Sequence, residues 1–318
     1  MKPASIISLV IAVLLIVVGL VSCFIAQNMA KANGEYLFAE DRGADSVYTV
    51  DLTDSEISKI ELIASKVQVN IYGRQEKSYI EFVNFRENYY SISNANRVLS
   101  FDEIPDVKSM LKFWENGFSF KGMRYIFNFN NTVDESRDKV INVYLTSDKD
   151  IKIFDIKSDN LTLNLSGMTT GTDYNITTKN AVINGDVLRT SSTLSINYGE
   201  KVTPADKVDM KLSTALIQYV GINAKELNLT TDKFRCAGKA DITSESGSIS
   251  IGTISQIDDI SLDLTTNSGR IVLDNSEVMS PYKHSVSENS QGEIAITTDS
   301  SDITVFRSAT DTTTDREA

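Results

Sequence analysis

The sequence predicts an all-β protein, a β-solenoid or β-helix-like repeat ectodomain preceded by one N-terminal transmembrane α-helix. Two observations favour this fold class. Short runs of alternating apolar and polar residues recur from 46 to 306, with the period of half-buried strands. An uncharged apolar stretch occupies 5–26, which is long enough to cross a bilayer as a helix.

The charge and cysteine content limit the partners and the sources of stability. The chain has 43 acidic and 31 basic residues, a formal net charge of -12. Nucleic-acid affinity comes largely from Lys and Arg that displace counterions, so this balance disfavours nucleic acid as a partner. Only two cysteines are present, Cys23 in the apolar stretch and Cys236. No disulfide can therefore form within the predicted outer domain, and its stability must come from packing and backbone pairing.

The apolar segment 5–26 is predicted to anchor the chain in the lipid bilayer. At ~1.5 Å of rise per residue it spans the ~30 Å hydrocarbon core. Lys2 precedes it, whereas the basic residues after it are diluted by acidic ones, so the positive-inside rule places the N-terminus in the cytoplasm. We expect a single-pass cell-membrane protein in which 1–30 form the anchor, 31–45 form a polar tether, and the C-terminal domain is extracytoplasmic.

A second interpretation of this segment stays open. Residues 20–23, LVSC, resemble the lipobox of bacterial lipoproteins, in which Cys23 is the lipidated first residue of the mature protein. Against lipidation, the apolar run continues through 24–26, where lipoproteins usually become small and polar. Both interpretations leave the same domain on the same side of the membrane.

The region 46–139 is predicted to be an N-terminal β region. Residues 60–63 (IELI) and 67–72 (VQVNIY) alternate apolar with polar and end at Gly73, a pattern typical of a half-buried strand followed by a turn. Residues 79–83 (YIEFV) repeat this pattern.

An aromatic insertion at 104–131 interrupts the alternation and contains the only Trp. Phe113, Trp114, Phe118 and Phe120 form a candidate interaction surface, because aromatic rings are favoured at interface hot spots. The alternative is a hairpin that caps the sheet and buries these rings, since large exposed apolar patches are rare on monomers.

The region 140–306 is predicted to be a β-strand repeat solenoid, and 307–318 a disordered tail. Three stretches align: 241–251 (DITSESGSISI), 263–273 (DLTTNSGRIVL) and 285–296 (SVSENSQGEIAI). Their glycines, Gly247, Gly269 and Gly292, are 22 and 23 residues apart. Each unit has an apolar stripe and open edges that only a neighbour can cover, so we expect successive units to stack with these glycines along one side.

These patterns resemble the bacterial putative-adhesin family, β-strand-repeat domains of unknown function found in Gram-positive membrane-anchored surface proteins. The likeness lies in 57–82, in 139–165 and in the SGSISI, SGRIVL and QGEIAI units, and it covers roughly 46–306. Leu145-Thr146 departs from the Leu-Pro that the family often places there. The resemblance implies the fold and a surface location, and it assigns a role to no residue.

Residues that commonly carry catalysis or bind metals are scarce. His284 is the only histidine and is expected in an exposed turn. Cys236 is better explained as a small apolar residue of a strand than as a reactive thiol. The acidic pairs at 102–103 and 258–259 match no Ca²⁺-binding loop. We therefore predict no catalytic residue, no cofactor and no metal site.

Four triplets match the Asn-x-Ser/Thr glycosylation pattern, and we interpret them as strand residues, because strands rich in Asn and Thr produce this pattern by chance. They begin at Asn160, Asn164, Asn175 and Asn228.

The expected function is that of a non-catalytic, membrane-anchored extracytoplasmic module, an adhesin or a module that contacts an unknown envelope or protein partner. Two alternatives stay open. One is an accessory protein of an envelope-stress sensing system. The other is a polysaccharide lyase or hydrolase on a β-helix, which requires acidic residues stacked in register across adjacent rungs.

Overall fold

The computed structural model describes Gly19 and residues 47–53, 55–85, 90–103, 139–147, 151–168, 171–188, 191–286 and 290–308. Apart from Gly19 they belong to one compact unit, Asp45–Ile104 with Ser136–Ala318. The predicted anchor other than Gly19, the tether, the aromatic insertion and 309–318 lie outside the described residues. Within the described part, no helix combines the length and the apolar character that crossing a bilayer requires.

The described residues form an almost entirely β structure, as predicted, with sixteen strands in one mixed sheet and a 3-10 helix at Ile257–Asp259. The strands are β1 (Val47–Asp51), β2 (Lys59–Tyr72), β3 (Tyr79–Val83), β4 (Tyr90–Ala95), β5 (Val98–Glu103), β6 (Val140–Tyr144), β7 (Ile153–Ser166), β8 (Asp173–Leu188), β9 (Thr193–Ile196), β10 (Ala205–Thr253), β11 (Ser261–Thr266), β12 (Ile271–Leu273), β13 (Ser276–Val278), β14 (Tyr282–His284), β15 (Glu293–Thr298) and β16 (Asp302–Arg307).

Most of the sheet is parallel, and β7, β8 and β9 pair at an offset of 20 residues. Phe154 of β7 lies beside Tyr174 of β8, 20 positions later, and β8 pairs with β9 at the same offset. β2 pairs with β7 along its whole length. We call each segment that crosses the sheet once a rung. The rungs are 59–72, 153–166, 173–188, 193–216, 219–234, 239–253, 261–273 and 293–307.

Each rung has two strand halves that meet at a corner. The buried apolar positions of β2 are Ile60, Leu62 and Ala64 in its first half, and Val67, Val69 and Ile71 in its second. Two exposed residues, Ser65 and Lys66, separate the two sets. The buried set therefore changes from even to odd positions at the corner, and both halves contribute to one apolar core.

Buried hydroxyl groups satisfy the backbone at several corners. Ser158, Thr178, Ser244, Thr266 and Thr298 each occupy the last buried position before a corner. The hydroxyl of Thr178 donates to the backbone oxygen of Asn180, two residues later in the same corner, over 2.8 Å. The hydroxyl of Thr266 accepts from the backbone N–H three residues later over 2.9 Å. Such hydrogen bonds satisfy backbone N–H and C=O groups that have no strand partner at the corner.

The final rungs do not stack in the order of the chain. β15 and β16, which form the last rung, pair in parallel with β10 on one side and with β11 and β12 on the other. The last rung therefore lies between its two predecessors. The chain makes room for it by reversing direction after β12, because β13 and β14 pair antiparallel with β12 and β11.

The predicted alignment of three glycines along one side is wrong for one of them. Gly247 and Gly269 occupy equivalent corners, next to residues that pair with β16. The equivalent position in the last rung is Ser301, whereas Gly292 immediately precedes β15 and lies level with Gly238. In the last rung, the strands before and after the corner alternate apolar with polar residues in the same way. The sequence alignment therefore matched Gly292, which lies at the start of this rung, to glycines that lie at the corners of the other two rungs.

Strands from both sides of position 139 join one sheet. β2 pairs on one edge with β7, and on its other edge with β5 through its first half and with β6 through its second half. The insertion at 104–131 therefore connects two strands that share one edge of β2. At this end of the parallel array, β4 pairs antiparallel with β5, β3 with β6, and β1 with β3.

Candidate interaction face

The outward side of the second strand halves forms a continuous surface, which we call the outer face. It is built from β3, β6, the second half of β2, and the adjacent parts of β7, β8 and β10. Because alternate residues of a strand point to opposite sides, the residues between buried core positions all lie on this face. Parallel pairing at a fixed offset then places equivalent residues of successive rungs side by side.

A ladder of amide side chains crosses five adjacent strands of the outer face. The Nδ2 of Asn184 donates to Oδ1 of Asn164 over 3.2 Å, Asn164 donates to Asn70 over 2.8 Å, and Asn70 donates to Asn142 over 2.8 Å. The Nδ2 of Asn142 then donates to Oε2 of Glu81 over 3.3 Å. We call these five residues the amide ladder. All of its amides are oriented in one direction, toward the carboxylate.

The ladder explains part of the Asn-x-Ser/Thr pattern in the sequence. Asn160 and Asn164 lie in β7, and Asn180 donates to Asn160 over 3.0 Å in a second, shorter ladder. Asn175 and Asn228 also lie in strands. The interpretation of all four triplets as strand residues is confirmed.

Three tyrosines stack beside the ladder at the end of β2. The ring of Tyr144 lies between those of Tyr72 and Tyr79, with centroid separations of 5.2 and 4.5 Å and interplanar angles of 20° and 21°. Burial, the charge of Glu81 and a hydrogen bond to Glu81 raise the pKa of Tyr144 to about 12. On its other side Tyr72 pairs in register with Ser166, whose side chain is exposed.

A pocket of about 330 Å³ opens on the outer face near the corners, and we call it the basic pocket. Its floor includes Asn160 and Thr162 of β7 and Asn180 and Val182 of β8. These side chains are shorter than those of Lys66, Gln68 and Lys207 on the flanking strands.

The sides of the basic pocket carry lysines. Lys66 and Lys139 lie on the β2 side, and Lys207 lies with Asp209 on the β10 side. The Nζ of Lys207 is 2.6 Å from Oε1 of Glu226 and 3.8 Å from Oδ2 of Asp209, so two carboxylates already balance this charge. Burial lowers the pKa of Lys139, because a partly desolvated ammonium is less stable than a hydrated one.

The outer face has the chemistry of recognition. It combines amide donors and acceptors, hydroxyl groups, aromatic rings and ammonium groups on rigid strands, which are the groups that orient a polar ligand. Among the described residues, no group of three or more His, Cys, Asp or Glu side chains is arranged to hold a metal ion.

The candidate interaction and lipidation residues that the sequence predicted cannot be placed on the outer face. Phe113, Trp114, Phe118, Phe120 and Cys23 lie outside the described residues, so their roles stay predictions.

Two other residues that the sequence singled out do lie in strands. Cys236 is 4% exposed, and burial raises the pKa of its thiol to about 11, which confirms its interpretation as a core residue. His284 ends the edge strand β14 and does not lie in an exposed turn, and its Nε2 lies 3.2 Å from the backbone oxygen of Asp258.

Sequence reasoning missed the basic pocket and most of the amide ladder. Lys66, Lys139 and Lys207 are far apart in the chain, and no local pattern marks them as neighbours. One signal was available for the ladder, because Asn164 and Asn184 are separated by the 20-residue offset of neighbouring rungs.

Comparisons with known proteins identify only distant likenesses. No family model and no curated protein matches the chain. Three crystal structures resemble it over 83% of its length, and each is covered almost completely: a putative cell adhesion protein from Clostridium sporogenes (14% identity, TM-score 0.33, 98% of that chain), a putative adhesin from Bacteroides fragilis (9%, 0.30, 97%) and a putative lipid binding protein from Parabacteroides distasonis (9%, 0.24, 97%). At these scores they assign no function to this chain.

Proposed function

We propose that the protein is a non-catalytic β-solenoid that binds a component of the cell envelope and is held at the membrane by its N-terminal segment. The observation that supports the binding role is the outer face, where the amide ladder, the tyrosine stack and the basic pocket lie on one sheet. Membrane attachment through 5–26 and an extracytoplasmic location rest on the hydropathy of the sequence.

The carboxylates of the described residues favour binding over glycoside hydrolysis. Every one with a clear pKa shift is shifted downward: Glu61, Asp206, Glu226 and Asp302. Hydrogen bonds with Lys or Arg, through side chain or backbone, are the leading cause in each case. A glycosidase needs a carboxylic acid whose pKa is raised, so that it can donate a proton near neutral pH.

The solenoid assignment rests on parallel, in-register pairing of successive rungs together with the change of buried parity at the corners. Each rung buries its apolar stripe against the neighbouring rungs and completes their backbone hydrogen bonds. Such a fold presents long, flat rows of side chains, which suits recognition of an extended partner.

The proposed location is tested by labelling cells that express a chain with Cys236→Ala and Lys152→Cys. Lys152 is exposed, and a matched chain with Cys236→Ala alone, which keeps Cys23, measures any labelling that does not come from the introduced thiol. A membrane-impermeant maleimide should label intact cells as strongly as lysed cells. Labelling that requires lysis contradicts an extracytoplasmic domain.

Crosslinking in the native host tests the proposed binding role. An affinity-tagged full-length chain should recover an envelope polymer or envelope protein after crosslinking. A matched chain with Tyr72→Ala and Asn164→Ala, which alters the outer face, should recover less of it. Recovery of no envelope component under any growth condition contradicts the proposal.

A further inference from the structure

The first strand, β1, has one edge that no other described strand covers. Within the described part of the chain it pairs only with β3. The N–H of Leu52, just after β1, donates to the backbone oxygen of Ser78 over 2.9 Å. Successive residues of an antiparallel strand direct their backbone groups alternately to its two edges. The even-numbered residues of β1 therefore face β3, and the backbone groups of Val47 and Thr49 face the open edge.

Apolar side chains are exposed along the open edge of β1. Tyr48 and Val50 pair with Phe82 and Ile80, which are fully buried, so both residues lie on the core side of the sheet. Val50 packs against the core, yet Tyr48 is 40% exposed. Val47, on the opposite side of the strand, is 52% exposed. A further strand at this edge would cover these side chains and pair the open backbone groups.

β1 lacks the features that commonly prevent an edge strand from pairing. It contains no Pro, Lys or Arg, and its one charged residue is Asp51 at its end. At the other end of the sheet, the edge strand β14 is only three residues long and carries Lys283 and His284. β4 also has an open edge within the described part of the chain, but the exposed side chains of 91–95 are Ser, Asn and Ala. β1 is therefore the edge that best suits an added strand.

A second copy of β1 fits this edge in an antiparallel register that uses its full length. When the register is centred on Thr49, Thr49 meets Thr49 of the second copy, Tyr48 meets Val50, and Val47 meets Asp51. The two Thr49 residues exchange two backbone hydrogen bonds, and the N–H of Val47 faces the carbonyl of Asp51, an acceptor with two lone pairs. Thr with Thr, and an aromatic with a β-branched residue, are favourable cross-strand pairs, and no like charges lie opposite each other.

The acidic residue nearest to this contact also permits it. Glu81 of β3 pairs in register with Thr49. In the paired copies the two Glu81 residues are three strand spacings apart, roughly 14 Å. This separation exceeds the screening length of ~8 Å at physiological ionic strength, so their repulsion is small. Each Glu81 also accepts from Asn142 over 3.3 Å and so stays part of its own amide ladder.

We propose that β1 pairs antiparallel with β1 of a second copy of this chain, about a twofold axis through Thr49. The axis is perpendicular to the sheet, so the outer faces of both copies lie on the same side of one joined sheet. Each copy contributes its single β1 edge, and association therefore closes at the dimer. Two five-residue strands bury less than the ~1,200 Å² of a stable interface, so the dimer is weak in dilute solution and favoured where copies are concentrated.

Cysteine crosslinking of the full-length chain tests the register. Every chain carries Cys236→Ala and keeps Cys23, and the chain with Cys236→Ala alone measures the background. A short bismaleimide should join Thr49→Cys chains into dimers well above this background, because directly paired residues lie ~5.5 Å apart. Val47→Cys chains alone should not be joined, since their sites are four positions apart along the strands, roughly 13 Å. A mixture of Val47→Cys and Asp51→Cys chains should be joined.

A charge on the twofold axis tests whether this contact drives association. Thr49→Lys places two ammonium groups directly opposite each other and should weaken dimerisation at least about tenfold, measured by sedimentation equilibrium of the full-length chain in a neutral detergent. Thr49 is exposed, so this variant should fold, and thermal unfolding checks that it does. The matched control, Thr297→Lys, adds the same charge at an exposed position of β15 and should change dimerisation less than about twofold.

Several results overturn the inference. One is crosslinking of Thr49→Cys chains no stronger than that of Thr297→Cys chains. Another is equal dimerisation of Thr49→Lys and Thr297→Lys. Crosslinking of Val47→Cys chains alone as strong as that of Thr49→Cys chains would mean a different register. A monomeric Thr49→Cys chain whose introduced thiol reacts slowly with maleimide would mean that something other than a second copy covers this edge.

Discussion

Glycine is required at some corners because another backbone approaches within contact distance. Gly247 has φ of +121°, and a Cβ at this position would collide with the backbone oxygen of Leu227 on the neighbouring rung. Gly199 has a similar φ of +130°, but a Cβ there would meet only the side chain of Val202, at 3.7 Å. Both glycines have a positive φ, but only Gly247 is close to the backbone of a neighbouring rung. The two positions therefore separate the effect of the backbone angle from the effect of the space between rungs.

Gly247→Ala should lower the free energy of unfolding by about 3 kcal/mol, since backbone strain and a backbone collision add. Gly199→Ala should lower it by only about 1 kcal/mol, from backbone strain alone. Urea unfolding followed by circular dichroism measures both. Equal losses would mean that close stacking of rungs does not constrain Gly247.

Tyr144 should make stability depend on alkaline pH. Its pKa in the folded protein is raised to about 12, chiefly by burial and by Glu81, from an ordinary value of 10.0. The folded state therefore favours the neutral phenol, so its contribution is fully present below pH 10 and is lost as the pH rises toward 12. The difference in urea midpoint between the wild type and Tyr144→Phe should change over pH 10 to 12 and remain constant between pH 7 and 9.

At the scale of the elements, the amide ladder couples strands that are distant in the chain. Asn164 accepts from Asn184 and donates to Asn70, which is 94 residues away. Because every bond in the ladder runs in the same direction, Asn164, Asn70 and Asn142 cannot reverse their amides without breaking two ladder bonds each.

Asn164→Asp keeps the shape of the side chain, but the carboxylate cannot donate to the oxygen of Asn70. We expect a loss of about 1 to 3 kcal/mol at neutral pH, because a half-buried oxygen pair is left without a proton. The control is Gln218→Glu, which introduces the same charge at an exposed position of β10 and should change stability by less than about 0.5 kcal/mol. Comparable losses in both variants would attribute the effect to added charge and not to the ladder.

The strands themselves could be predicted from the sequence, and their neighbours could not. Alternation at 60–63 and 67–72 identified most of β2, because half-buried strands repeat every two residues. The same alternation says nothing about which edge a strand joins. The motif around Gly292 illustrates this, since it fits the repeat equally well in either half of the last rung.

For the whole molecule, the main consequence of the strand order is that the last rung holds two others together. The rung at 293–307 pairs with 239–253 on one edge and with 261–273 on the other. The order of rungs depends on which edges remain open after earlier segments have paired, and this is a property of the whole sheet. For the same reason the basic pocket, which joins residues from four rungs or strands, was not visible in the sequence.

A chain that ends after Val286 lacks the last rung and leaves two parallel edges unpaired. We expect limited proteolysis to cleave 239–286 in this chain at protease concentrations that leave the intact protein uncut, because proteolysis follows the population of opened states. A chain that ends after Ser308 keeps β16 and should resist proteolysis as the full chain does. Equal resistance of both truncated chains would contradict a bridging role for the last rung.

The antiparallel strands at the two ends of the array limit how far the sheet can grow. Identical parallel layers have no intrinsic length, and an open terminal layer is a template on which another copy can polymerise into a fibre. Here β3 and β4 run opposite to the array at one end, with β1 antiparallel to β3, and the short strands β13 and β14 run opposite to it at the other end. The parallel ladder therefore does not continue unbroken to either end of the array, and a second copy cannot extend it by simple repetition of the same layer.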